Sequence, residues 1–391
     1  VYTHIIIFIP YTQEVLMLTI EKLDLSSRQA VRDFIFFPFR LYKDCPQWVP
    51  PFPGDIQVMM DKTKHPFYDH SEAEFFVARH GKEIVGRIAA LENRAYNKQH
   101  ESKQAQFYLF ETINDAQVAQ ALFDCVFEWG KARGLNAVVG PKGFSAFDGY
   151  GIQVKGFDHR QMMTMMNYNY PYYPTLLENT GFTKEVDFVS CYLRKDTFVI
   201  PDKVREVARR VQEKGTFKVA EFKTKGDLKK WVKRIGVTYN KTFVQNWEYY
   251  PLTERELSFM LDNVMMVADP RLIKAILHED DVIGFLFAFP DVSAALQRQR
   301  GHLHPIALAD IMIDFKRTNW VSLNGAGVLP EYHGRGANAL LYAEMERTLT
   351  DYQFIHAELT QVAESAVQMR KDLATIGGEE YKNHRVYRHA I

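Results

Sequence analysis

The stretch "GAGVLPEYHGRGANALL", residues 325–341, decides how the second half of the chain is read. Small and β-forming residues lead to Pro330, which ends a strand. Gly334 and Gly336 then admit close backbone approach, and an apolar run with helical spacing follows. N–H groups at the start of that helix can converge on one point, where the helix dipole adds about half a positive charge. Arg335 adds a full one. Such a turn suits a pyrophosphate. It has neither the GKS/T of a P-loop nor the spacing GxGxxG, and the lone GxG of Gly325 and Gly327 is a weak signal.

Working outward, the strand and helix around this turn belong to a longer plan. "RLIKAILHEDDVIGFLFAFP" (271–290) reads as a hairpin with an Asp280–Asp281 turn. "NWVSLNGAGVLP", the Gly/Arg turn, the helix "ANALLYAEMERTL" and the strand "FIHAEL" make a βαβ unit. The first half repeats the plan. "EFFVARHGKEIVGRIAALEN" (74–93) gives a hairpin around His80–Glu83, and "FYLFETINDAQVAQALFDCVFEWGKARGLNAVVG" (107–140) gives strand, Asp115 cap, helix, Gly134 stop and strand. At the turn equivalent to Gly334–Gly336 this first copy has Asn114 and Asp115 and no glycine. A carboxylate there repels phosphate and caps a helix.

The expected fold is α/β, an α+β mixed sheet in two tandem units of which the N-terminal one is degenerate. At 391 residues the chain exceeds the roughly 100–200 residues of one domain. We divide it into residues 1–16, an extension ahead of Met17 expected to be disordered; residues 17–195, the degenerate unit; and residues 196–391, the cofactor-binding unit. Residues 1–16 lack a basic n-region and are broken by Pro10, so they read as neither signal peptide nor membrane span.

Lys plus Arg and Asp plus Glu number 48 each, so no global field holds a polyanion, and nucleic acid is not an expected partner. Cys45, Cys125 and Cys191 form neither a disulfide framework nor a CxxC pair, which fits a reducing cytoplasm. His302 and His304 in "GHLHP" lack a third ligand at usable spacing, so no metal is expected. The stretches "FIFFPFRLY" (34–42) and "MMTMMNYNYPYY" (162–173) suit either core or an apolar ligand. The basic "KTKGDLKKWVKR" (223–234) reads as a solvated helix face that also allows a peripheral contact with anionic lipid at the inner membrane face.

"VLPEYHGRGANALL" resembles the coenzyme A pyrophosphate loop of the GCN5-related N-acetyltransferases, with His333 where that family has Arg or Gln and Asn338 where it has Gly or Ala. Further segments resemble a two-domain bacterial branch that includes ceramide synthases: "WVPPFPGDIQ" (48–57), "KHPFYDHSEAEFFVAR" (64–79), "VVGPKGFSAFDGYGIQVKGFD" (138–158), "YNKTFVQNWEYYPLTERE" (239–256) and the closing "HRVYRHAI". The resemblance implies acyl-CoA or acetyl-CoA as co-substrate and a primary amine as acceptor, with a sphingoid or other lipid amine favoured. It implies that Ala326, Gly327 and Val328 form a strand edge for pantetheine, with an N–H there, that of Val328, polarising the thioester. His333, Gly334, Arg335, Gly336, Ala337 and Asn338 hold the pyrophosphate.

By the same resemblance Glu358 and Glu364 are candidates for base, Tyr387 for acid and Asn246 for catalytic positioning. Asn240, Trp247 and Glu248 are placed near the acceptor, with Asn324 a weaker candidate. Gln361 and Ser365–Ala366 stand where the branch has an aromatic and an asparagine. Direct attack on the thioester needs no enzyme nucleophile, consistent with the lack of a GxSxG motif. The alternatives are an acetyl-CoA-dependent acetyltransferase of a small molecule or peptide amine, and a non-catalytic acyl-CoA-binding protein.

Overall fold

The computed structural model describes residues 17–391 apart from 146–147, 164–165, 245, 248 and 353. The expectation of disorder for residues 1–16 therefore lies outside the described residues, as does the candidate Glu248.

The first half runs β1 (Leu18–Lys22), α1 (Arg28–Leu41), α2 (Pro53–Met60), β2 (Glu72–His80), β3 (Glu83–Glu92), α3 (Arg94–Gln99), β4 (Gln104–Thr112), α4 (Ala116–Lys131), β5 (Ala137–Gly140), β6 (Ile152–Lys155), α5 (Tyr173–Asn179) and β7 (Thr183–Arg194). The second runs α6 (Asp202–Glu213), β8 (Lys218–Ala220), α7 (Lys225–Thr242), α8 (Glu254–Val267), β9 (Ile273–His278), β10 (Asp281–Pro290), α9 (Ser293–Gln299), α10 (Pro305–Arg317), β11 (Trp320–Val328), α11 (Ala337–Asp351), β12 (His356–Ala363), α12 (Val367–Thr375) and β13 (Glu379–Ala390). In each half two helices follow the first strand, a hairpin leads to a third antiparallel strand, and a helix crosses over to a parallel neighbour.

Local chemistry explains the two crossover helices. Asp115 caps α4 by accepting from the backbone N–H groups of Gln117 and Val118 at 2.8 and 3.3 Å. Gly336 stands at the same point before α11 with φ +94°, a conformation that favours glycine. The second hairpin turns at Glu279 and Asp280, one residue earlier than Asp280–Asp281, because Asp281 already pairs with His278.

Among the described residues the strands form one mixed sheet in the order β1-β2-β3-β4-β5-β13-β7-β12-β11-β10-β9-β8, with β6 on β13. The halves exchange their last strands. β7 pairs with β12, and β13 pairs with β5, so a cut after residue 195 divides the sequence but not the sheet. The exchange joins β7 and β13 as central partners and leaves neither half with a bare edge at the junction.

In the second half α11 and α12 cover one sheet face over Ile276, Leu286 and Val321, with Leu373 of α12 packed into the same cluster. Helices α7 and α8 cover the other over Ala275, Phe285 and Phe289. Helices α9 and α10 are inserted between β10 and β11; the "GHLHP" stretch caps α10, His304 Nδ1 accepting from Ala307 N–H at 3.2 Å.

Candidate functional site

The site begins where two strands part. Strands β11 and β12 pair in parallel over Trp320–Leu323 and His356–Leu359, and then their pairing stops. β11 runs on to Val328 and β12 to Ala363. A bulge at Asn324 turns the first strand, and one between Leu359 and Val362, with Gln361 at φ +56°, turns the second.

Register fixes which main-chain groups face the gap. Val328 lies opposite Gly284, and the N–H of Leu329 donates to Ile283 O at 2.8 Å. That makes Val328–Gly284 a pair without mutual hydrogen bonds, and Ala326–Leu286 another, so the N–H groups of Ala326 and Val328 point away from β10 into the opening. Gly327 points the other way. A side chain at Gly327 would put Cβ 2.4 Å from Thr242 Cγ2, so glycine lets α7 close over the strand.

The opening leads into a cavity of about 550 Å³ lined from both faces of the sheet. On one face stand Phe198, Tyr342, Met345, Leu349, Met369, Leu373 and Ile376; on the other stand Tyr239, Phe243, Asn246, Trp247 and Tyr150. The lining is mostly apolar, and its polar side chains are neutral: Asn246, Asn324, Thr360, Gln361 and Ser365 among them. Both amide atoms of Gln361 are enclosed without a partner among the described residues. Tyr342, whose hydroxyl donates to Met369 Sδ at 3.7 Å, is pushed up to about 12 by burial and keeps its proton at neutral pH.

At the end of the same strand lies the turn before α11. Its first backbone bond into the helix is Leu340 N–H to Gly336 O, at 3.1 Å, so the N–H groups of Ala337, Asn338 and Ala339 have no intrahelical acceptor. Gly334, at φ +71°, has open space where a side chain would stand, whereas Cβ at Gly336 would lie 2.6 Å from Val211 Cγ2 of α6. His333 Nε2–H donates to Val328 O at 2.8 Å and ties the turn to the strand end. Arg335 is exposed, its guanidinium 5.6 Å from the Tyr332 ring centre.

The first half has closed the same place. β4 and β5 pair only over Gln104–Gln106 and Ala137–Val139. Beyond that, the edge of β4 is taken up: Lys142 N–H donates to Phe107 O at 2.9 Å, Thr112 N–H to Tyr173 Oη at 3.0 Å, and Tyr172 Oη to Thr112 O at 2.7 Å. Asp115 occupies the amides at the helix start.

Of the remaining candidates, Asn246 and Trp247 line the cavity, and Trp247 also anchors the two halves. Tyr96 Oη donates to its carbonyl at 3.0 Å, and Lys142 Nζ lies 4.7 Å from its ring centre. Asn240, on α7, does not line the cavity; its Oδ1 is enclosed without a partner among the described residues.

The structure places three further candidates outside the cavity lining. Glu358 is fully buried, accepting from Tyr381 Oη and paired with Lys382 Nζ at 3.1 Å; burial raises its carboxyl and lowers the lysine. Its oxygens serve that pair rather than the cavity. Glu364 Oε2 lies 2.6 Å from Lys184 Nζ, and its Oε1 accepts from Asp187 N–H at 3.1 Å, fixing the end of β12 to β7. Tyr387 is buried in the core of the first half, because the strand exchange carries β13 to β5.

The greasy stretches resolve as structure. Phe34 and Phe37 are core, and Tyr168 and Tyr173 are buried, while Met162 lines a second cavity of about 570 Å³ with Arg160, Asp291 and Tyr381; Thr164 and Met165 lie outside the described residues. The contributors that sequence reading missed include Tyr342, Met345, Leu349 and Thr360. The first three were visible as one helical stripe on "ANALLYAEMERTL".

No protein-family model matches the chain. It is 26% identical over 373 residues to Protein YghO of Escherichia coli (strain K12), covering 93% of this chain and 94% of that one. It is 26% identical over 369 residues to the bacterial ceramide synthase of Caulobacter vibrioides, covering 92% and 95%. Among solved structures, the tandem GNAT protein from the clavulanic acid biosynthesis pathway superposes with a TM-score of 0.56 at 12% identity, over 96% of this chain and 98% of that one. The repeated plan, the parting of β11 from β12 and this superposition agree: the chain has the fold of the tandem GCN5-related N-acetyltransferases.

Proposed function

We propose that the protein transfers an acyl group from acyl-CoA to a primary amine, and that the acceptor is a lipid amine of sphingoid type. The observation that carries this reading is a largely apolar cavity running through the sheet at the gap between β11 and β12. Donor and acceptor enter from opposite faces. The pyrophosphate sits on the amides of Ala337, Asn338 and Ala339, with Gly334 and Gly336 giving backbone access and Arg335 supplying charge. The pantetheine amides pair with the edge of Ala326 and Val328 and with the unpartnered amide of Gln361.

The amine nitrogen attacks the thioester carbon, and the N–H of Val328 holds the developing oxyanion. Collapse breaks the C–S bond, giving an amide and free coenzyme A; the proton lost by the amine balances the one gained by the thiolate. Tyr342 can hydrogen-bond the leaving sulfur. An alkylammonium near pKa ~10 must shed its proton first. Among the described residues the lining holds Asn246, Asn324 and Thr360 as hydrogen-bonding groups, through which the proton leaves to water.

The lipid preference is supported by the apolar cavity and by the similarity to a bacterial ceramide synthase. A thiol-release assay with donors from acetyl to long-chain acyl-CoA and a panel of sphingoid, simple alkyl and peptide amines tests the reading. Turnover confined to long-chain donors with sphingoid bases is the expected result. Turnover with acetyl-CoA alone gives the acetyltransferase alternative, and coenzyme A binding with no thiol release gives the non-catalytic one.

A further inference from the structure

Helix α10 turns its apolar residues outward. Ile306 is 73% exposed and Met312 64%, with Leu308 and Ile313 both 49%. At 100° per residue these four and Ala309 fall on one arc, and the same arc carries the exposed Lys316 and Arg317. Its acids, Asp310 and Asp314, lie beside that arc and are paired with Arg298. Arg298 of α9 holds Asp310 at 2.8 Å and Asp314 at 3.0 Å, and Gln299 Nε2 donates to Asp310 at 2.8 Å. Neither Lys316 nor Arg317 forms an ion pair with a described residue. Beyond the helix start the surface continues through Leu303, 53% exposed, and His302, whose ring stacks on Phe36 of α1 at 6.2 Å.

We propose that α10 is an interfacial helix that seats the protein on an anionic lipid surface. An exposed helix face combining large apolar side chains with cations, its neighbouring acids already paired with Arg298, is what such a surface attracts: the side chains enter the acyl boundary while the cations meet the headgroup phosphates. A second copy of this chain is a poorer occupant. A symmetric contact through this face would bring Lys316 and Arg317 of two copies together, while Asp310 and Asp314 are already paired with Arg298. This surface is separate from the basic stretch 223–234, where Thr224 caps α7 and Lys225 Nζ donates to the carbonyls of Met265 and Met266 at 2.9 and 3.0 Å. It does not depend on the acyl-transfer reading.

Flotation of the purified full chain with phosphatidylcholine vesicles, with and without about 30% phosphatidylglycerol, tests it. The protein is expected to float with the anionic vesicles. Ile306→Glu with Met312→Glu lowers partitioning at least about tenfold, with melting temperature unchanged because both positions are exposed. Lys316→Ser and Arg317→Ser each lower it roughly fivefold in low salt. Wild type that stays with the solvent, or an Ile306→Glu/Met312→Glu variant that floats as wild type does, overturns the proposal. So does a wild-type dimer that the same variant converts to monomer in light scattering, since that makes the face a protein interface.

Discussion

Asn324 Nδ2 donates to Thr360 Oγ1 at 3.0 Å across the gap between β11 and β12, beyond the point where main-chain pairing ends at Leu323 and Leu359. Ser322 Oγ in turn donates to Asn324 Oδ1 at 2.8 Å, so the asparagine is held from both sides. The bond bridges the parted strands where both residues line the cavity. Thr360→Val keeps the shape and removes the acceptor of this bond, at about 0.5–1.5 kcal/mol. The expected outcome is a kcat/KM for the acyl donor reduced several-fold, restored by Thr360→Ser, with thiol release as the measurement. A Thr360→Val enzyme with unchanged kcat/KM would show that main-chain packing alone fixes the gap.

The turn before α11 can be tested for charge without a change of shape. Gly334 has φ +71°, which asparagine and aspartate tolerate better than other side chains, and open space around its Cβ position. Gly334→Asn should bind coenzyme A much as wild type does. Gly334→Asp places a carboxylate beside the amides of Ala337 and Asn338 and should weaken binding at least about tenfold, an effect that shrinks in high salt. Calorimetric titration of both variants measures it. Gly336 is the wrong place for this comparison, because any side chain there meets Val211 and unsettles α6 as well.

Met369 reaches the cavity from α12, beside the hydroxyl of Tyr342. Met369→Trp fills space on the face that the donor chain enters. With long-chain donors kcat/KM should fall about tenfold or more, while an acetyl donor, whose acyl group ends near Val328, changes by no more than about twofold. Competition between acetyl-CoA and a long-chain acyl-CoA reads the shift directly. Equal losses for both donors would mean that the substitution disturbs the pantetheine path instead of the acyl space.

The sequence revealed the elements that a local pattern specifies. Glycines at 334 and 336 and a strand stopped at Pro330 marked the open turn, and Asp115 marked the closed one, because phosphate access and helix capping depend on a few adjacent residues. The strand exchange was not legible: nothing local in "HRVYRHAI" distinguishes a strand that pairs with β5 from one that pairs with its own half. Tyr387 was misplaced for that reason. Glu358 was misjudged because its partners, Tyr381 and Lys382, lie more than twenty residues away, and only the sheet brings their side chains together. The wall of the cavity was half legible. The stripe of Tyr342, Met345 and Leu349 follows helical periodicity, whereas Thr360 and Gln361 reach the gap through a bulge that composition does not announce.

The exchanged strand also sets how the protein responds to acid. His384 of β13 is buried; its Nε2–H donates to Asn167 O at 2.9 Å, and its Nδ1 is enclosed without a partner among the described residues. Burial lowers its pKa from 6.5 to about 4, and His65, which accepts from Phe67 N–H at 3.2 Å, is lowered to about 4 for the same reason. In the unfolded chain both histidines take up protons below about pH 6.5, while the folded protein refuses them until near pH 4. The stability they contribute is therefore complete above 6.5 and is lost as the pH falls toward 4, by up to ~3 kcal/mol for each. Melting temperature should decline across that window. His384→Gln can keep a donor to Asn167 without titrating, so it should remove about half of the histidine-linked decline. A variant whose melting temperature falls with pH as steeply as wild type would place the acid sensitivity in groups other than the strand that joins the two halves.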